Sequence, residues 1–174
     1  MSLIETLMTT IRTVPDFPKA GIQFKDITPI LQDPALLVQT ADALAKPFQS
    51  EQIALVLGIE SRGFLFATMM AERLGAGFIP VRKPGKLPFT THQAMYELEY
   101  GTDRLEIHTD AIHPGQKVLI HDDVLATGGT AEAVGRLVEK MGGELVGYSF
   151  LLELLFLNGR NRLNAAKIES LLPL

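Results

Sequence analysis

Apolar positions along the chain keep two rhythms. Leu3, Ile4, Leu7, Met8 and Ile11 recur at helical spacing behind Ser2, a residue suited to cap them. A second helical pattern runs through Leu36, Leu37, Ala41, Leu44, Ala45 and Phe48. It starts at Asp33-Pro34, where the aspartate suits the cap and the proline the first helical position. The continuous apolar run 53–57 predicts a strand buried on both faces, with a helix over 64–74 and a further strand over 77–81. Residues 118–120 predict another short strand, followed by a helix carrying Ala131, Val134, Leu137, Val138 and Met141 and stopped by Gly142-Gly143. A long apolar strand is expected over 145–155, a turn at Asn158-Gly159 and a last strand over 168–172.

Two stretches keep neither rhythm. Pro18, Gly21 and Pro29 punctuate 17–29, which reads as loop with a short extended piece. Residues 87–95 show no periodicity and are expected to be mobile. Beyond them Tyr96, Leu98 and Tyr100 alternate with Glu97 and Glu99, and Leu105 and Ile107 alternate with Glu106 and His108 across a turn. That is a β-hairpin arm with one wet face, on which Glu97 and Glu106 are expected to meet solvent. Strands alternating with helices give an α/β fold, a doubly wound and mostly parallel sheet of about five strands flanked by helices. One domain is expected over 1–174, with a small hood from the N-terminal loop and C-terminal segment and a flexible arm over 83–108.

Composition narrows the function classes. The 174 residues are 47% hydrophobic, enough to bury a sizeable core. A net charge of −4 argues against nucleic acid as a partner. With no cysteine, thiolate–zinc sites and thiol nucleophiles are excluded. No apolar run reaches membrane-spanning length and no signal peptide heads the chain, so a soluble cytoplasmic protein is expected.

The stretch richest in chemistry is KVLIHDDVLATGGT, residues 117–130. Asp122 and Asp123 are placed where the strand ends. Ala126, Thr127, Gly128, Gly129 and Thr130 make a small-residue turn into the helix. A helix N-terminus offers unpaired N–H groups and partial positive charge to a phosphate. Gly128 and Gly129 let the backbone approach it, Thr127 and Thr130 add hydroxyls, and the carboxylates accept bonds from sugar hydroxyls. The spacing is neither that of dinucleotide folds nor of P-loops. The stretch therefore reads as a sugar-phosphate grip. Arg62 follows a second strand end and would face the same crevice, or else make a surface ion pair. Arg82, Lys83 and Lys86 suit a polyanion such as pyrophosphate, or form a solvated basic turn.

Residues 117–130 resemble the phosphoribosyl-pyrophosphate motif of type I phosphoribosyltransferases. With FPKAGIQFKDITP, GIESRGFLFA, PVRKPGKLP and YELEYGTDRLEIH, nearly the whole chain is similar to the adenine phosphoribosyltransferases. The resemblance implies the type I fold and transfer of a phosphoribosyl group from phosphoribosyl pyrophosphate to adenine, giving AMP and pyrophosphate. It implies magnesium carried by the substrate, with no direct protein ligand, and a homodimer. It also assigns residues. Phe24 and Val124 sandwich the purine, the backbone around Gln23–Lys25 reads its edge, and Leu157 lines the base pocket. Ser61, Arg62, Arg82 and Lys83 face pyrophosphate, the last two in their own site or a neighbouring subunit's. Glu99 and Tyr100 belong to the closing loop. Glu99, on a mobile arm near the purine, is the candidate to shuttle the proton that the attacking ring nitrogen must lose.

Two departures stand out. Lys25 occupies a position where many relatives have arginine, and the two do not interchange at a bidentate contact. His121 replaces an aliphatic residue and is expected to be a satisfied strand-end histidine. Two rival readings are the same chemistry on hypoxanthine or xanthine, and a nucleotide-binding regulatory module of the same fold without catalysis.

Overall fold

The structure, a computed structural model, describes residues 1–97, 102–165 and 167–174. The chain divides into two compact units, Met1–Ala43 and Leu44–Leu174.

The first unit opens with α1 (Leu3–Thr10), whose start is a capping box: Glu5 N–H donates to Ser2 Oγ, and Ser2 N–H to the Glu5 carboxylate at 2.7 Å. Of its apolar stripe Leu7 is buried, while Ile4 and Met8 are exposed. β1 (Arg12–Pro15) pairs antiparallel with β2 (Gln23–Asp26), placing Val14 opposite Phe24. The short helix α2 (Thr28–Gln32) has no warning in the apolar pattern. Asp26 Oδ1 accepts from Thr28 N–H at 2.9 Å, and Pro29 suits the first turn. α3 (Pro34–Ala45) begins where Asp33 Oδ1 accepts from the N–H groups of Ala35 and Leu36.

The second unit carries β3 (Leu55–Ile59), α4 (Gly63–Leu74), β4 (Gly77–Val81), β5 (Thr91–Glu97), β6 (Thr102–His108), β7 (Lys117–Leu125), α5 (Gly129–Lys140), β8 (Glu144–Glu153) and β9 (Lys167–Pro173). Five of these strands form one sheet in the order β4-β3-β7-β8-β9, and every neighbouring pair in it is parallel. Val118 and Ile120 of β7 join a core with Val134, Leu137 and Val138 of α5 and with Tyr96, Leu105 and Ile107 of the β5–β6 hairpin. His121, pointing to the other face, lies edge-on to Phe66 of α4.

Several expectations are corrected here. β7 does not stop before the acidic pair: Asp122, Val124 and Leu125 stay in register with Phe150, Leu152 and Glu153 of β8, which holds the backbone extended. β3 lies two residues later than the apolar run, because Gly58 and Ile59 pair with Pro80 and Val81. A Cβ at Gly58 would lie 2.9 Å from both Ala67 and Phe78, so the missing side chain is what lets α4 and β4 close in. β5 starts inside the stretch expected to be mobile, since Thr91–Ala94 pair with Leu105–His108. The last strand, expected over 168–172, is the edge strand β9 and runs one residue further at each end. Among the described residues no helix is long and apolar enough to cross a membrane.

β3 continues through α4 to β4 on one side, and β7 through α5 to β8 on the other. The carboxyl ends of β3 and β7 therefore flank a topological switch point, where open α/β sheets bind ligands.

Candidate active site

The β7–α5 connection is made by backbone. Ala126 and Thr127 leave the strand, and Gly128 turns the chain at φ +83°. That conformation favours glycine, and a Cβ there would also collide with the Gly159 carbonyl. α5 starts at once, with no side chain at its N-cap, so its first N–H groups remain available to an anion. A small pocket is lined by Asp122, Val124–Gly128, Thr130, Ala131 and Phe150. Its floor is braced from behind: Gly159 presses on this loop so closely that a Cβ would sit 2.9 Å from Gly128 N. Gly159 follows Asn158, itself in a left-handed conformation at φ +52°. The turn was legible in the sequence; its contact with the glycine loop was not.

The acidic pair divides its attention. Asp122 lines the pocket, and its Oδ1 accepts from the Asp123 N–H at 2.9 Å. Asp123 is buried and faces Arg62, whose Nε lies 2.9 Å from Asp123 Oδ2. Burial, then the neighbouring Asp123 charge, pushes the Asp122 carboxyl well above the usual range. Burial also raises Asp123, with the Arg62 guanidinium opposing. Groups so poised gain from any ligand that donates hydrogen bonds or positive charge to them. Arg62 reaches them because Gly63 lacks a side chain: a Cβ there would meet the His121 carbonyl at 2.9 Å and Asp122 Oδ1 at 3.0 Å. Ser61 is exposed beside it.

The cation loop after β4 is held by carboxylates. Glu60 accepts from Arg82 Nε at 3.0 Å and from the Lys83 N–H at 2.7 Å. Burial would raise the Glu60 carboxyl, but these donors outweigh it and hold it below its ordinary value. Arg82 also lies over the Phe64 ring. Lys83 Nζ meets Asp103 at 3.3 Å. Asp103 in turn accepts from the Tyr96 hydroxyl at 3.0 Å, with Thr130 of the glycine loop also beside that hydroxyl. Burial, with Asp103 adding, pushes Tyr96 up to about 12, so it remains a donor. Glu60, Tyr96 and Asp103 are participants the motifs did not single out. The one available signal for Glu60 is its place immediately before Ser61-Arg62.

Glu106 was expected on a wet face and is instead 5% exposed. Its carboxylate accepts from Gln93 Nε2 at 2.6 Å and from the Gly85 N–H at 3.2 Å. Gly85 of the cation loop bonds to this carboxylate, which alternation assigned to solvent. His121 is corrected as well. It is fully buried, and neither ring nitrogen has a hydrogen-bond partner among the described residues. Burial drives its pKa down to about 3, and the Ser149 backbone nearby offsets only part of that.

Of the other expected site residues, Phe24 sits in β2 with its ring edge-on to Phe17 at 5.1 Å. Lys25 Nζ donates to Thr13 at 3.0 Å. Leu157 is half-buried at the end of a 3-10 turn, Leu155–Leu157. Glu99 and Tyr100 lie outside the described residues.

Residues 26–156 match the family model of a phosphoribosyl transferase domain. An adenine phosphoribosyltransferase from Anaeromyxobacter dehalogenans is 57% identical over 170 residues, 98% of this chain and 99% of its own. The chain belongs to the adenine phosphoribosyltransferase family. Solved structures agree. The adenine phosphoribosyltransferase of Rhodothermus marinus superposes with a TM-score of 0.95 at 60% identity, covering 99% of this chain and 98% of that one. The Saccharomyces cerevisiae adenine phosphoribosyltransferase, solved with adenine and an imino-altritol bisphosphate, gives 0.92 at 44% identity, covering 97% and 98%. The fold, the β-hairpin and the glycine loop after the acidic strand are thus features of an adenine phosphoribosyltransferase family member.

Proposed function

We propose that this site transfers the 5-phosphoribosyl group of phosphoribosyl pyrophosphate to adenine, releasing pyrophosphate and AMP. The observation that carries the reading is the convergence at one switch point of an uncapped helix start, an acidic pair and the Arg62 guanidinium. The N–H groups after Gly128 grip the 5-phosphate, Thr127 and Thr130 add hydroxyls, and Asp122 and Asp123 accept from the ribose hydroxyls. Ser61, Arg62, Arg82 and Lys83 draw charge off the leaving pyrophosphate, the electrostatic help this displacement needs. Phe24, Lys25, Val124 and Leu157 hold the base, and Tyr100 takes part in closure. Glu99 moves the proton from the attacking ring nitrogen.

Magnesium fits as a guest of the substrate. Asp122 and Asp123 stand adjacent at the carboxyl end of β7, beside the proposed substrate position. One or two carboxylates with phosphate oxygens is the donor set this ion favours. When bound, it would neutralise developing charge on pyrophosphate. The protein is proposed to be cytoplasmic and to work as a homodimer, which sedimentation of the purified chain tests.

Pyrophosphate release measured with each purine in turn tests the reaction. Adenine is expected to turn over, with hypoxanthine and guanine poorer by about a hundredfold or more, because a mismatched buried polar group loses its partner. Comparable turnover of hypoxanthine overturns the base assignment, and binding without release would favour a regulatory module. Glu99→Gln is expected to lower kcat about tenfold or more, with Glu97→Gln near wild type. Equal rates in both would leave positioning and leaving-group electrostatics as the whole mechanism.

A further inference from the structure

Glu106 belongs to no motif of the phosphate or base sites, yet it is one of few buried carboxylates among the described residues. It lies opposite Gln93 in the β5–β6 hairpin, and both carboxylate oxygens are engaged. Oε1 accepts from the Gln93 amide at 2.6 Å, and Oε2 accepts from the Gly85 N–H at 3.2 Å. Its backbone exchanges two hydrogen bonds with Arg82, at 3.0 and 2.7 Å. Arg82 and Gly85, on either side of Lys83, are therefore both tied to one residue of the hairpin, and Gly85 sits in the left-handed region at φ +76°. A solubilising glutamate would be exposed, and a core filler at this position would be apolar. A buried carboxylate spent on a loop N–H fixes that loop.

We propose that Glu106 is a positioning residue for pyrophosphate. It fixes the path of residues 82–86 so that Arg82 and Lys83 meet the leaving group in a set geometry, and it links that geometry to the hairpin arm. This inference rests on the reading that the 82–86 loop faces pyrophosphate. Glu106 itself touches no substrate. Its action is geometric, through acceptor atoms, rather than through its charge.

Steady-state kinetics with phosphoribosyl pyrophosphate and adenine varied separately, beside thermal melts, test it. E106A is expected to raise the KM for phosphoribosyl pyrophosphate about tenfold while leaving kcat and the adenine KM within about twofold, since a loop shifted by an ångström loses its contacts. E106D keeps the charge but falls one methylene short of Gly85, and is expected to raise the same KM about threefold. It carries the test if E106A does not fold. E106Q keeps an acceptor for the Gly85 N–H, and Gln93 can turn its amide over to meet the new donor, so this variant is expected to stay within about twofold of wild type. Lys83→Ala separates the two levels of the argument. An unchanged KM for phosphoribosyl pyrophosphate in K83A overturns the pyrophosphate assignment and this inference with it. A raised KM in K83A, beside wild-type values in E106A or E106D, overturns this inference alone. Equal damage in E106Q and E106A overturns the geometric role.

Discussion

Beyond β7 the chain turns through small residues and offers backbone N–H groups at the start of α5. Beyond β4 it turns through cations, and long-range side chains hold it: Glu60 on Arg82 and the Lys83 N–H, Asp103 on Lys83, Glu106 on Gly85. The first loop gets its shape from steric necessity at Gly128 and Gly159. The second gets it from carboxylates supplied by β6 and by the β3–α4 connection. Backbone donors held by packing are pre-organised and need no partner before the ligand arrives. Cations must already be neutralised by neighbours, and binding exchanges those neighbours for the ligand. Under the proposed assignment the phosphate end of the substrate meets a fixed socket, and the pyrophosphate end an exchange of ion pairs.

This contrast can be broken most directly at Gly128. Gly128→Val strains the left-handed φ and drives a side chain into Gly159, so affinity for phosphoribosyl pyrophosphate is expected to fall about a hundredfold or more by calorimetry. Unchanged affinity in a folded variant would mean that the socket is not a fixed one.

A second measurement probes the strand beneath it. His121 is held neutral by burial, with its pKa displaced from 6.5 to about 3. A depressed histidine contributes fully above its ordinary pKa and loses that contribution as the pH falls toward the folded value. Between pH 7 and pH 5 the wild type is therefore expected to lose roughly 2 kcal/mol through this side chain. His121→Leu should flatten that limb of a denaturant-unfolding series against pH. Parallel wild-type and variant curves would show that the imidazole takes up its proton in the folded protein.

The smallest effect belongs to the cation side. Glu60→Gln keeps an acceptor but removes the charge facing Arg82, and is expected to raise the KM for phosphoribosyl pyrophosphate about threefold. The Glu60 carboxyl is depressed in the folded protein, so its contribution is present above its ordinary value of 4.5 and lost as the pH falls below it. A glutamine should remove that acid sensitivity. A hundredfold effect here would erase the contrast between the two loops.

The same contrast explains what the sequence made legible. A glycine loop between a strand and a helix announces itself locally, and β4 and α5 stand where their apolar patterns put them. Contacts across twenty or more residues leave no local mark: Glu106 follows the alternation expected of a solvated glutamate, yet it is buried and bonded to Gly85 and Gln93. β7 runs past the acidic pair because β8 pairs with it, and β5 starts early because β6 does. Cross-strand partners decide both boundaries, and apolar alternation does not record them. The pair Asp122 and Asp123 was legible as chemistry while the division of labour between them was not: Asp122 lines the pocket and Asp123 pairs with Arg62.

The contact between Gly128 and Gly159 also bears on redesign. Leu157, proposed to line the base pocket, stands two residues before Gly159, so changes in the 3-10 turn made to admit a different base act on a segment that also abuts the glycine loop. Under the proposed assignments, specificity for the acceptor and grip on the donor share one mechanical part. Libraries aimed at new bases through this turn should be screened at saturating donor, where a weakened grip does not mask a gain in base choice, and each hit then has its donor affinity to recover separately.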